Sequence, residues 1–127
     1  AKGKDVQIYV TTFYQEGGSA EFDAGIKKYI ADNSEALAAN GGNDTISAVT
    51  AMGYDAYFVA LEAMKKADSA DKAALMKILP SVTYTGVSGA IAFDEVGDAV
   101  RDTAYIKTAN TADGTWVLET VQTGSAS

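Results

Sequence analysis

The sequence contains no cysteine and no histidine. The first absence excludes disulfides, thiol redox chemistry and Cys–His nucleophile pairs. The second excludes Ser-His-Asp triads, and the two together remove the usual zinc ligands. Carboxylates, lysines, tyrosines and hydroxyls are left for catalysis, a weak set that argues against an enzyme, and no cofactor is expected. Cysteine absence alone does not fix the compartment. Positive charge is also scarce: ten Lys and Arg against seventeen Asp and Glu give a net charge of -7. With no basic stripe to offset that balance, nucleic-acid binding is not expected. The opening Ala1-Lys2-Gly3-Lys4-Asp5 has no apolar h-region, so no signal peptide is read in the sequence as it stands. What is present is ordinary globular composition, 47% hydrophobic and 21% charged over 127 residues. That length suits one domain, which would bury roughly two-thirds of its unfolded surface.

The spacing of residue types predicts the elements. Val6 to Tyr14 (VQIYVTTFY) is rich in β-branched and aromatic residues without clean alternation, which predicts a well-buried strand. Gln15-Glu16-Gly17-Gly18 ends it. Ser19 is placed to cap a helix over residues 20–32, with Glu21 and Asp23 in its first turn and Phe22, Ile26, Tyr29 and Ile30 on one stripe. A short helix at Ser34–Ala39 precedes the breaker Asn40-Gly41-Gly42-Asn43. Asp44 or Thr45 would then cap a long helix over Thr45–Lys66, with Ile46, Val49, Gly53, Tyr57, Leu61 and Met64 on one stripe. Met52, Ala56, Val59, Ala60 and Ala63 spread apolar character around it, so it must be covered on more than one side. Asp55, Glu62, Thr50 and Ser47 make it a poor bilayer span.

Asp68 and Ser69 would open a further helix over Ala70–Leu79, stopped by Pro80, the single proline. After it, Thr83-Tyr84-Thr85-Gly86 leads into one strand over Val87–Phe93, and Asp94 to Asp98 form a turn. Strands at Thr103–Thr108 and Thr115–Gln122 are joined through Asn110 to Gly114, where Asp113-Gly114 is a hairpin signal. Thr123–Ser127 reads as a frayed tail. The order β-α-(α)-α-α-β-β-β is odd for a complete α/β domain. Only one strand precedes a long helical stretch, so the helices lack strands to cover.

Several clusters invite chemistry. Asp55 and Glu62, seven residues apart, share a helix face about 10 Å apart along the axis, as a carboxylate acid–base pair would. The plainer reading makes them the solvated edge of an otherwise buried helix, or pairs them with a partner lysine. Asp94, Glu95 and Asp98 could attract calcium but lack the spaced loop pattern of a calcium site. Gly17-Gly18-Ser19 before a helix could hold an anion, though capping accounts for it. Tyr54, Tyr57 and Phe58 form an aromatic knot better suited to packing than to a ligand. The amides at the start of the long helix, with the Thr45 and Ser47 hydroxyls, can take a carboxylate.

These segments together resemble the C-terminal part of the branched-chain amino-acid (Leu/Ile/Val) receptors of ABC importers, the type I periplasmic-binding-protein family. The carrying runs are VQIYVTTFY at 6–14, EFDAGIKKYI at 21–30, AVTAMGYDAYFVALEAMKKA at 48–67 and VTYTGVSGAIAFDEVGDAVRDTAYIK at 82–107. The most specific is Gly86-Val87-x-Gly89-x-Ile91-x-Phe93-Asp94-x-x-Gly97-Asp98, followed by Gly53-Tyr54-Asp55-Ala56. The resemblance covers nearly the whole chain but only about the last third of such a receptor. It implies an α/β fold, part of a flavodoxin-like lobe, with one N-terminal strand, three to four helices and a C-terminal antiparallel β segment. In this family two lobes close on a ligand through three crossovers. Residues 1–12 and 104–122 would then belong to one lobe and 13–103 to the other, with hinges at Thr12, Phe13, Tyr14 and at Asp102, Thr103. Ser47, Ala48 and Val49 would face the cleft. Many relatives carry an aromatic at the position of Val49, and the acidic partner for the ligand ammonium lies upstream of this chain.

The implied function is binding of a branched-chain or related amino acid outside the cytoplasm, for delivery to a membrane permease, with weak binding or none by this chain alone. The alternative is an interaction module that self-associates, as a homodimer or by domain swapping, through its uncovered core.

Overall fold

The computed structural model describes residues 2–124. Of the expected tail, Thr123 closes a strand and the Gly124 amide bonds the Asp102 carbonyl at 2.6 Å; Ser125 to Ser127 lie outside the described residues.

The chain runs β1 (Tyr9–Thr12), α1 (Ala20–Asp32), α2 (Ser34–Ala39), α3 (Ala48–Ala67), α4 (Lys72–Ile78), a 3-10 turn (Leu79–Ser81), then β2 (Tyr84–Gly86), β3 (Gly89–Phe93), β4 (Ala99–Val100), β5 (Thr103–Ala109) and β6 (Trp116–Thr123). Two antiparallel sheets result, β1-β5-β6 and β2-β3-β4. β1 lies against β5 with Tyr9 opposite Thr108, and β5 pairs β6 with a register shift at Ile106/Lys107.

Local chemistry explains the first half. The Ser19 side chain accepts from the Phe22 amide and starts α1 where its cap was read. Phe22 and Ile30 are buried, while Tyr29 at the end of the same stripe is exposed. The Asn33 side chain caps α2 through the amides of Glu35 and Ala36, and Gly41 and Gly42 turn the chain at positive φ of 70° and 76°. β1 is shorter than the predicted strand and is not buried: Tyr9 and Val10 are exposed. It is an edge strand, and among the described residues no helix layer lies over it.

The long helix starts later than predicted. Asn40 donates to the carbonyls of Asn43 and Thr45 at 2.8 and 2.9 Å, and the Thr45 amide donates to Asn43 Oδ1 at 3.0 Å. These bonds hold residues 43–45 in a turn, so neither Asp44 nor Thr45 is the cap; Ser47 is, accepting from the Thr50 amide. At the far end Asp68 adopts left-handed geometry (φ 47°) and closes α3, and Asp71 caps α4 through the Ala74 amide. Asp68 and Ser69 therefore end one helix instead of opening the next. Pro80 sits in the following 3-10 turn.

The predicted stripe of α3 is not its buried row. Ala51, Asp55, Val59 and Ala63 are buried, whereas Val49 and Tyr57 stand 72% and 64% exposed. The buried row carries mostly small side chains, which let β2 and β3 approach closely. Val59, Ala63, Val82 and Ile91 form one core cluster with Leu75, Ile78 and Phe93 against it, and Tyr14, Phe22, Ile46 and Ala51 form a second. The predicted strand over Val87–Phe93 starts two residues later, at Gly89 (φ 100°), because Val87 and Ser88 turn between β2 and β3 in a hairpin.

Candidate functional site

A cleft of about 650 Å³ opens between β1, the β5–β6 hairpin and the start of α3, bordered by Thr11, Thr12, Lys107, Trp116, Ser47 and Ala48. Glu16 builds its floor. One carboxylate oxygen accepts from the buried Ile46 amide at 2.8 Å, and the other meets Lys27 Nζ at 2.8 Å. This ties the loop preceding α3 to the β1–α1 connection and raises the Lys27 pKa, chiefly through that hydrogen bond. Beside it, the buried Tyr14 hydroxyl donates to Asp23 Oδ1. Burial first, then that bond, push the Tyr14 hydroxyl far above the ordinary phenol range. Asp23 also accepts from the Gly17 amide at 2.7 Å, so Gly17-Gly18-Ser19 is held by the helix's own carboxylate and cap.

At the rim, the Ser47 hydroxyl accepts from the Thr50 amide at 3.2 Å. The amides of Ala48 and Val49, in the first turn of α3, have no intrahelical acceptor, and the helix dipole adds positive potential there. The cleft thus combines free amides, hydroxyls, one ammonium (Lys107) and one indole (Trp116), a set suited to a small molecule bearing a carboxylate.

Of the residues singled out in the sequence, Ser47, Ala48, Thr12 and Tyr14 line this cleft, and Val49 does not. Phe13 faces elsewhere, its ring 5.6 Å from the Arg101 guanidinium. Asp102 borders a separate groove beside Tyr84 and Val100, and Thr103 donates to Asp102 at 2.9 Å.

The residue that sequence reasoning misplaced most is Asp55. It is fully buried, not the solvated edge of α3. Its carboxylate accepts from the Val87 and Ser88 amides at 2.9 and 2.8 Å and from the Ser88 hydroxyl. A Cβ on Gly86 would overlap that carboxylate, so glycine is required there. Glu62 pairs instead with Lys65 at 2.6 Å on the surface. The two carboxylates share no pocket, and the acid–base pairing falls away. Asp94 accepts from the Val96 and Asp98 amides as a turn cap. No group of three metal-ligating side chains occurs among the described residues.

The aromatic knot is a ladder that reaches the surface: Phe22 to Tyr54 at 4.9 Å, Tyr54 to Phe58 at 4.9 Å and Phe58 to Tyr84 at 6.2 Å between centroids. On another side of α3, Met52, Ala56 and Ala60 join Met76 and Phe93 around an apolar groove of about 450 Å³. No helix among the described residues is long and apolar enough to cross a membrane.

The architecture is that of part of a type I periplasmic binding protein. Among solved structures, the chain is similar to a leucine-binding protein, LivK, from Thermotoga maritima. The match covers 91% of this chain at 28% identity with a TM-score of 0.60. It bears out the resemblance to the branched-chain amino-acid receptors. The chain spans 31% of the length of that leucine-binding protein. No protein-family model matches the sequence, and no curated protein matches it.

Proposed function

We propose that this chain is a portion of an extracytoplasmic amino-acid receptor serving an ABC importer. The observation that carries the reading is the opening of α3 beside the cleft, where Ser47 and Ala48 line it and the first-turn amides lack intrahelical acceptors, in a chain similar over 91% of its length to a leucine-binding protein. Those amides and the Ser47 hydroxyl take the ligand carboxylate, and an aliphatic side chain lies toward the Trp116 indole. Residues 1–12 and 104–122 form part of one lobe and 13–103 part of the other, with Thr12–Tyr14 and Asp102–Thr103 as crossovers. Closure of the lobes then sequesters the ligand. A receptor three times as long supplies the remaining walls, so the chain alone binds weakly.

Titration of isotope-labelled chain with leucine tests this. Amide resonances of Ser47, Ala48, Val49 and the Trp116 indole shift at millimolar ligand, and calorimetry detects no micromolar binding. Unmoved resonances at α3, or micromolar affinity without further chain, would defeat the proposal.

A second reading, self-association, is favoured by one observation: the outward face of α3 is uncharged along Val49, Gly53, Tyr57, Ala60 and Met64. Light scattering decides it, since a monomer at high concentration removes it.

A further inference from the structure

The sheet β1-β5-β6 is joined to the rest of the molecule by two connections only, residues 13–19 between β1 and α1 and residues 101–102 between β4 and β5. Phe13 opens the first and Arg101 opens the second. The Arg101 guanidinium carbon stands 5.6 Å from the centroid of the Phe13 ring, within cation–π range. The same guanidinium donates through Nη1 to the Ser88 carbonyl and through Nη2 to the Ser88 hydroxyl, each at 3.0 Å.

Ser88 can accept at its hydroxyl because its own proton is committed to Asp55. Asp55 belongs to α3, is fully buried, and holds both amides of the Val87-Ser88 turn. An unbroken path therefore runs from the middle of α3 through the β2–β3 turn to Arg101, and across to Phe13. The two turn amides and the Ser88 hydroxyl on it all donate to Asp55. A planar, forked guanidinium meets this geometry as an ammonium could not, because it bonds two Ser88 oxygens while lying near the ring.

We propose that Asp55, Ser88, Arg101 and Phe13 form a clamp that ties both connections to the helical body and, in the ligand-free chain, holds the β1-β5-β6 sheet in one orientation relative to α3. Arg101 and Phe13 are positioning residues: they touch no part of the 650 Å³ cleft but set the separation of its two sides. Release of the clamp leaves each connection free to pivot separately, and the cleft width becomes a distribution.

The chain has no cysteine, so introduced ones are unique. Spin labels at Glu119→Cys on β6 and Lys72→Cys on α4 report the distance between the bodies by double electron–electron resonance. The parent gives one narrow distribution. Arg101→Gln and Phe13→Leu broaden it about twofold, while far-UV circular dichroism and the Ile91–Val59 core signals stay as in the parent. Should Arg101→Gln unfold, Phe13→Leu, at a 41% exposed site, carries the test. A parental width in either folded variant overturns the clamp. No ligand is involved, so failure here leaves the amino-acid reading standing.

Discussion

The two sheets are built from similar residues and meet opposite fates. In β2-β3-β4, Ile91 is 6% exposed because β3 packs on α3 and the turn that follows α4. In β1-β5-β6, β6 is exposed along its whole length, including Trp116, Val117, Leu118 and Val121. Propensity makes both into strands; only the first has a layer against it. The comparison teaches that strand identity is local, whereas burial is a property of what lies opposite. The same holds within α3, where Val59 is buried while Val49, Tyr57 and Met64 face outward.

Three substitutions sharpen that contrast. Asp55→Ala is expected to cost most, about 3–5 kcal/mol, by leaving the Val87 and Ser88 amides and the Ser88 hydroxyl without their acceptor. Urea denaturation followed by circular dichroism reads the loss, and a change below 1 kcal/mol (order of magnitude) would show the carboxylate to be dispensable. Gly86→Ala comes next at about 1–3 kcal/mol, since its methyl group must displace the Asp55 carboxylate. The added loss should vanish in the Asp55→Ala background, where the methyl group meets space, and double-mutant denaturation curves check that. Val117→Thr in the open sheet should stay within about 0.5 kcal/mol, as a surface change does. A loss near that of a core residue would mean that this sheet is covered in solution.

Much of the helical half was legible because its signals are short-range. Ser19, the α1 stripe and the limits of α2 depend on residues within four positions of one another. So does the hairpin at Asn110–Gly114, where the Gly114 amide bonds the Asn110 carbonyl at 2.8 Å. What escaped depends on distance along the chain. Asp55 meets partners 32 and 33 residues away, and a carboxylate on a mixed helix reads as solvated until those amides are known. The same gap hid the Val87-Ser88 turn, because nothing local says that a buried acceptor waits for its two amides. The start of α3 was misread for a nearer reason: Asn40 and Asn43 bind residues that Thr45 alone would have released into the helix. Of the site, the helix opening at Ser47 was legible as a carboxylate-binding end, whereas Lys107 and Trp116 carried no signal, being brought there by strand register.

The pairing of β1 with β5 has a kinetic side. Tyr9 and Thr108 lie about a hundred positions apart, so this ladder closes the longest loop among the strand pairings and its entropy is lost before any reward arrives. The β5–β6 hairpin and the α3–β2–β3 unit close short loops and can form without it. β1 is therefore expected to be the last strand to join on folding, and the first to leave when the chain is pulled from its beginning.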